Sequence, residues 1–206
     1  AVGLYPNMDR LSSQLLPASR VVGVVDSGWF MDSVPYQPSP GCAAAGDPLK
    51  CSVKENLVMG AAAWHPAVDA DCAHAKASSP DTLWQCMMGH YLSPYLSTPL
   101  FVFEWQFDLA QLYHDGITSN PTTLPAAAVA YAQQSRANLT QTFVLAATKR
   151  GPRHLHFFSP SCYQHVVLND KHADWVQVTA NGTTLPDALN AFVRGEGQNA
   201  TILLDD

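Results

Sequence analysis

Runs of apolar residues without alternation mark the strands of this chain. They lie within residues 20–25 and 98–105, and residues 153–158 supply a further strand. Such continuous runs are typical of strands that are buried on both faces of a parallel sheet. The sequence therefore predicts two buried strands and a third strand over residues 153–158.

Helical segments separate these runs. Apolar periodicity predicts a helix over residues 7–16, which Pro17 ends, and alanine-rich composition predicts a long helix over residues 125–148. Further helices are expected over residues 53–64 and over residues 185–192, the last with Thr184 as its N-cap. The segments 35–48 and 69–99 are expected to be loops. Alternating strands and helices predict an α/β fold with a mostly parallel sheet.

The composition indicates a protein with a sizeable core and argues against several classes of function. The chain has 206 residues, 47% of them hydrophobic, which is enough for a sizeable core, and we expect residues 1–206 to form part of a single domain. A net charge of −6 with 14% charged residues provides no basic stripe, so we expect no binding to nucleic acid or to an anionic membrane. No apolar run approaches the roughly 18 residues that a membrane span requires.

The five cysteines favour disulfides over a metal site, because they lack the tight paired spacing of zinc ligands. We expect Cys42 to pair with Cys51 and Cys72 with Cys86, which leaves Cys162 for a partner outside the chain. Spacing alone leaves other pairings open.

Three sequons, at Asn138, Asn181 and Asn199, are candidate glycosylation sites. Together with the cysteines they indicate a secreted protein, since disulfides persist in oxidising compartments.

Two segments end on an ionisable residue, residues 101–108 on Asp108 and residues 158–165 on His165. In α/β-hydrolases the triad follows the chain order nucleophile, acid, histidine, at the carboxyl ends of strands. Asp108 is therefore a candidate for the acid that orients an imidazole, and His165 for the general base. A disulfide at Cys162 could hold the histidine loop rigid. No Gly-x-Ser-x-Gly turn occurs in the chain.

Other interpretations of these residues stay open. Asp108 is also well suited to cap a helix that begins at Leu109, and Asp26 is a second candidate for the acid. Ser27 is a poor nucleophile candidate, because the glycine that should precede it in a nucleophile turn is missing. His154 and His156 share one face of a strand, but two ligands are too few for a metal site, so we expect neither metal nor cofactor.

Five segments, in the same order along the chain, resemble the pectin acetylesterase family, and within it the Notum-type carboxylesterases. They are residues 7–11, 24–30, 106–112, 161–165, and 175–178 with 182–186. The resemblance implies an α/β-hydrolase fold and a secreted, disulfide-bonded protein. It also implies that Asp108 is the triad acid and His165 the base.

The same resemblance implies where the remaining machinery lies. In relatives the nucleophilic serine directly precedes the helix that begins here near Tyr5, so we expect this chain to be the C-terminal two thirds of the domain. The missing N-terminal portion would then be a partner, and without it we expect low activity and aggregation through an exposed sheet edge. Phe30, Met87, Met88 and Ala110 would line the acyl pocket, with packing of the core as the competing interpretation.

These inferences predict a secreted serine carboxylesterase that acts on an acylated polysaccharide or a lipidated protein. The rival from another class is a catalytically inert α/β-hydrolase scaffold that serves as an extracellular structural or binding module.

Overall fold

A parallel sheet lies at the centre of the molecule. The computed structural model describes residues 7–15, 18–37, 51–118, 121–149, 155–168, 173–196 and 201–205. Within them the sheet has four strands in the order β1-β2-β3-β6, and every neighbouring pair is parallel. These strands are β1 (Gly23–Asp26), β2 (Leu100–Phe103), β3 (Leu155–Ser159) and β6 (Thr201–Leu204). Their carboxyl ends therefore meet at one edge of the sheet.

Helices connect the strands. They are α1 (Met8–Arg10, continued by a π-helical turn, Leu11–Leu15), α2 (Val53–Trp64), α3 (Ala70–Ala75), α4 (Gly89–Leu92), α5 (Leu109–His114), α6 (Ala126–Lys149) and α7 (Leu185–Arg194). Short 3-10 helices span Pro80–Met87, Pro121–Thr123 and Ala173–Gln177. A separate antiparallel hairpin is formed by β4 (Thr179–Ala180) and β5 (Thr183–Thr184).

Both faces of the sheet are covered, which explains the uninterrupted apolar run in β2. Leu100 and Val102 belong to one core cluster, together with Phe143 of α6. Phe101 and Phe103 belong to a second cluster on the opposite face, which contains Phe192 of α7. Because successive side chains of a strand point to opposite faces, both sets have to be apolar.

Local signals explain where two of the helices begin. The Ser52 hydroxyl accepts from the Glu55 backbone N–H, and the Glu55 carboxylate accepts from the Ser52 backbone N–H, so α2 starts with a capping box. The Thr184 hydroxyl likewise accepts from the backbone N–H of Asp187 at the start of α7. The predicted role of Thr184 as N-cap is confirmed.

Most predicted elements occur at or near their predicted positions, but two regions differ. Residues 69–99, predicted to be loop, contain two short α-helices and a 3-10 helix, which are too short to show a helical period. Strand β6 was not predicted, since its apolar run of three residues follows a sequon and carries no other signal. No helix in the described part of the chain is long and apolar enough to cross a membrane.

The cysteines agree with the predicted pairing as far as the structure describes them. Cys72 and Cys86 form a disulfide, as predicted, with Cα atoms 5.9 Å apart. Cys51 is also disulfide-bonded, while its predicted partner Cys42 lies outside the described residues. Cys162 is a free, exposed thiol.

Asp9 ties α1 to the segment that leads into β2. One carboxylate oxygen accepts from the backbone N–H and hydroxyl of Thr98, at 2.7 and 2.6 Å. The other accepts from the backbone N–H and hydroxyl of Ser97, at 2.7 and 2.8 Å. These hydrogen bonds lower the pKa of Asp9 and outweigh burial, the largest single influence, which acts in the opposite direction.

Replacing Asp9 by asparagine tests this anchor. The amide keeps one acceptor oxygen and turns an NH₂ group toward two donors, so we expect the free energy of unfolding to fall by about 1–3 kcal/mol. Chemical denaturation of the folded protein measures the change. Asp81→Asn, at an exposed carboxylate, is the control, and equal stability of the two variants would contradict the proposed anchor.

Candidate active site

The candidate residues lie at the carboxyl edge of the sheet. Asp26 ends β1, Asp108 follows β2 by five residues, and His165 follows β3 by six. The backbone N–H of Leu109 donates to the carbonyl of Gln164 at 2.9 Å, which holds the loop after β2 beside the loop after β3. The topology thus brings together groups that are far apart in sequence.

Asp108 uses its two carboxylate oxygens for two different purposes. Oδ1 accepts from the backbone N–H of Gln111 at 2.8 Å and caps α5. Oδ2 lies 2.7 Å from Nδ1 of His165. The capping interpretation and the interpretation as a partner of His165 are therefore compatible. The helix cap fixes the orientation of the carboxylate that the imidazole meets.

His165 is oriented by this contact. A carboxylate can only accept, so Nδ1 carries the proton and Nε2 is the ring nitrogen that remains available as a base. The hydrogen bond that His165 donates to Asp108 raises the pKa of His165 above its ordinary 6.5, against the effect of partial burial, and the negative charges of Asp108 and Asp26 act in the same direction. This contact stabilises the fold below pH 6.5, and the contribution is lost as the pH rises through the raised pKa.

The loop that carries His165 is held by hydrogen bonds from the end of β1. The Asp26 carboxylate accepts from the backbone N–H groups of Val167 and Leu168, at 2.8 to 3.0 Å. The Ser27 hydroxyl accepts from the Val166 N–H at 2.9 Å. Cys162, whose expected disulfide partner lies outside this chain, is an exposed free thiol within it.

Val166 has a strained backbone. Its φ of 54° lies in the left-handed region, which a β-branched residue rarely adopts. The hydrogen bonds that this loop donates to Asp26 and Ser27 hold it there. Strain of this kind, next to a histidine paired with a carboxylate, is often found at functional sites.

Comparisons with known proteins identify the family. The sequence pattern of the family described as pectinacetylesterase matches residues 1–205. The chain belongs to the pectinacetylesterase family. It is 31% identical to the human palmitoleoyl-protein carboxylesterase NOTUM over 196 residues. The aligned segment makes up 93% of this chain and 36% of the relative. A Drosophila melanogaster protein of the same name is also 31% identical, over 93% of this chain and 25% of its own length.

Solved structures of this family share the fold. The structure of the Wnt deacylase Notum from Drosophila covers 99% of this chain at 27% identity, with a TM-score of 0.77, and a second crystal form gives a TM-score of 0.72 at 28% identity. The predicted α/β-hydrolase fold is confirmed. The chain spans about half of those solved chains, 52% and 53%, and about a third of the human relative.

Three of the four residues predicted to line a pectinacetylesterase acyl pocket lie together. Met87 and Met88 are buried in one apolar cluster, and the half-buried Phe30 packs against it. The Phe30 ring is 6.2 Å from the ring of His165. Met87 is 6% exposed and Met88 has no exposed surface, so in the described part of the chain both pack as core residues, which is the competing interpretation. Ala110 is half-buried on α5, two residues after Asp108.

The other residues singled out in the sequence are three candidate glycosylation sites and two histidines considered as metal ligands. Asn138 is exposed on α6, and Asn181 is exposed in the tight turn between β4 and β5, whereas Asn199 lies outside the described residues. His156 is buried against Phe192, where desolvation lowers its pKa, and His154 lies outside the described residues. In the described ranges no three histidine, cysteine or acidic side chains are grouped as metal ligands would be.

Sequence reasoning missed two residues that contact the acid. Gln111 donates its backbone N–H to Asp108, and its side chain bridges the Met31 N–H and the Asp115 carboxylate. Glu104 is buried directly after β2 and touches Asp108. A signal for Glu104 was present, since it is the one charged residue among the apolar residues of 98–105.

Substitution of the two acids tests the electrostatics of this site. Asp108→Asn removes the strongest influence on His165, the hydrogen bond to a charged carboxylate, so we expect the pKa of His165 to fall. Asp26→Asn removes a weaker influence and should lower that pKa less. NMR titration of the histidine ring measures both. An unchanged His165 pKa in Asp108→Asn, or a larger decrease in Asp26→Asn, would contradict the geometry described above.

Proposed function

We propose that this chain supplies the acid and the general base of a secreted serine carboxylesterase. The observation that carries the proposal is the 2.7 Å contact between Asp108 and Nδ1 of His165, at the carboxyl edge of an α/β-hydrolase sheet. Asp108 would hold the ring in one tautomer and stabilise its charged form. His165 would transfer protons through Nε2.

The reaction would proceed through an acyl-enzyme. A serine hydroxyl loses its proton to Nε2 of His165 as its oxygen attacks the ester carbonyl. The tetrahedral intermediate then expels the alcohol, which takes the proton from His165, and the acyl group stays on the serine. Water attacks the acyl-enzyme by the same exchange of a proton with His165 and releases the acid. Backbone N–H groups outside this chain would stabilise the oxyanion, by analogy with the family.

We infer that the nucleophile lies upstream of these 206 residues. Ser27, the serine at the end of β1, is 3% exposed, and its hydroxyl is engaged by Val166, so it is not available for attack. In the described part of the chain no serine hydroxyl is hydrogen-bonded to His165. The greater length of the relatives leaves room for the missing residue.

The upstream segment would also complete the sheet. Strand β1 is the outer strand on its side of the described sheet, and Val24 on it is 37% exposed. An uncovered parallel edge readily pairs with another strand. We therefore propose that the N-terminal portion of the same protein docks there, and that residues 1–206 are one part of a single hydrolase domain.

The substrate class follows from the relatives and from the wall beside His165. The family is named for deacetylation of pectin, and the relatives are named as deacylases of palmitoleoylated protein or of Wnt. In this proposal Phe30 contacts the acyl group beside His165, and the buried Met87 and Met88 that pack with it allow for acyl groups of several shapes, because methionine is flexible and polarizable. The proposed substrate is an O-acyl ester on a polysaccharide or on a lipid-modified protein.

Secretion is proposed on two observations. The Cys72–Cys86 disulfide needs an oxidising compartment to form and persist. The sequons at Asn138 and Asn181 present exposed asparagines, which we propose as glycosylation sites.

The test uses the full-length protein and a fluorophosphonate, which labels activated serines. We expect one labelled serine upstream of Ala1, together with hydrolysis of nitrophenyl esters. His165→Gln should lower kcat by about 10⁴-fold or more, since loss of the base disables the whole triad. Comparison of acetyl with long-chain esters then selects between the two substrate classes.

His74→Gln is the matched control, because His74 is exposed on α3 and far in sequence from the site. It should retain full activity. Folded, full-length protein that neither takes up the label nor hydrolyses any ester would contradict the proposal and favour the inert scaffold.

A further inference from the structure

Glu104 is a buried carboxyl group that the proposed triad does not use. It is 2% exposed and is among the largest fully buried side chains. One of its oxygens accepts from the backbone N–H of Trp29 at 2.6 Å. A charged carboxylate in such a place is costly unless it is paired with a cation or saturated with hydrogen bonds.

Among the described residues, no cation pairs with Glu104. The small cavity beside Glu104 is lined by residues that include Trp29, Asp108, Gln111 and Ser135, and within the described part of the chain none of the lining residues is basic. Arg136, the neighbouring residue on α6, points instead to the Asp205 carbonyl and the Phe107 ring. The ionisable neighbours of Glu104 are the acids Asp108 and Asp26, and His165 lies beyond Asp108.

The carboxyl groups of Glu104 and Asp108 line the same small cavity and interact through their side chains. Two carboxyl groups in contact have to share one proton, because two adjacent charges repel strongly in a buried site. Burial, the charge of Asp108 and that of Asp26 raise the pKa of Glu104 well above its ordinary value, although the bond from Trp29 acts in the other direction.

The hydrogen-bond donors decide where the proton lies. Asp108 already accepts from the N–H of Gln111 and from Nδ1 of His165, which its charged form satisfies best. Glu104 accepts from one N–H, that of Trp29. A proton on Glu104 gives Asp108 a third donor, whereas a proton on Asp108 would weaken both of its existing bonds.

We propose that Glu104 is a neutral carboxylic acid whose hydroxyl donates to the Asp108 carboxylate, and that it is a positioning residue for the acid of the triad. The chain of hydrogen bonds then runs from Trp29 N–H to Glu104, from Glu104 to Asp108, and from His165 to Asp108. Its catalytic consequence rests on the proposed function, whereas the protonation of Glu104 does not.

The variant Glu104→Gln tests whether the Glu104 side chain of the wild-type protein is neutral or charged. The amide can accept from Trp29 and donate to Asp108, so it reproduces the neutral acid. Native wild-type protein has to keep a proton on Glu104 that the unfolded chain releases above about pH 4.5. Wild-type stability should therefore fall relative to Glu104→Gln as the pH rises. Between pH 5 and 8 we expect the variant's Tm to gain roughly 3 °C per pH unit over wild type.

The pKa of His165 gives a second readout from the same variant. If Glu104 is neutral, the substitution removes no charge, and NMR titration should give the wild-type His165 pKa within about 0.3 pH unit. A lower His165 pKa in Glu104→Gln, or a Tm difference that does not change with pH, would overturn the proposal. Glu196→Gln, the same change at an exposed site, is the control and should leave both readouts unchanged.

Activity of the full-length protein tests the positioning role. Glu104→Gln should keep kcat/KM within about threefold and leave its pH profile unshifted, whereas Glu104→Met, which cannot donate, should lower kcat by tenfold or more with little change in KM. Equal loss in both variants would overturn the positioning role. Absence of esterase activity in the wild type would instead count against the proposed function, and the Tm and NMR results would still decide the state of Glu104.

Discussion

The carboxylate of Asp108 connects the fold of this chain to its candidate chemistry. Each of its oxygens has a fixed donor, the first turn of α5 on one side and the imidazole of His165 on the other. Because the helix cap is part of the backbone structure, the imidazole meets a carboxylate that cannot rotate freely. A rigid acid is what a triad requires, since the ring then keeps one tautomer and one direction.

The parallel sheet makes this arrangement possible. Parallel strands end at the same edge, so groups that follow β1, β2 and β3 are brought together although 139 residues separate Ser27 from Val166. Asp26 and Ser27 hold the histidine loop, and Asp108 orients the ring. Residues that follow three different strands thus position one imidazole. The hydrogen bonds to Asp26 and Ser27 also keep the strained backbone at Val166 in place.

The elements that could be predicted from the sequence are those with strong local signals. Strands β2 and β3 were recognisable because burial on both faces requires continuous apolar runs. Strand β1 was also found, but its predicted burial on both faces is wrong within the described residues, since it is the outer strand on its side of the sheet and Val24 is 37% exposed. Helix α2 was found with both of its ends. Strand β6 was missed because its four residues carry too little pattern. The helices within residues 69–99 were missed for a similar reason, since they are short and are joined by a disulfide.

The candidate site was predictable only in part. Position at strand ends and resemblance to a family pointed to Asp108 and His165, and the structure brings these two side chains into contact. The roles of Asp26 and Ser27 depend on contacts with a loop distant in sequence, which no local pattern encodes. Glu104 was visible as a charge in a buried strand, but its contact with Asp108 depends on how the chain turns after β2.

The most direct test of the account compares two pKa values in the full-length protein. One is the pKa that governs the acidic limb of the pH profile of kcat/KM, and the other is that of His165 from NMR titration. If His165 is the general base, the two coincide above the ordinary 6.5. An acidic limb that follows another group, or activity that persists where His165 is fully protonated, would contradict the assignment.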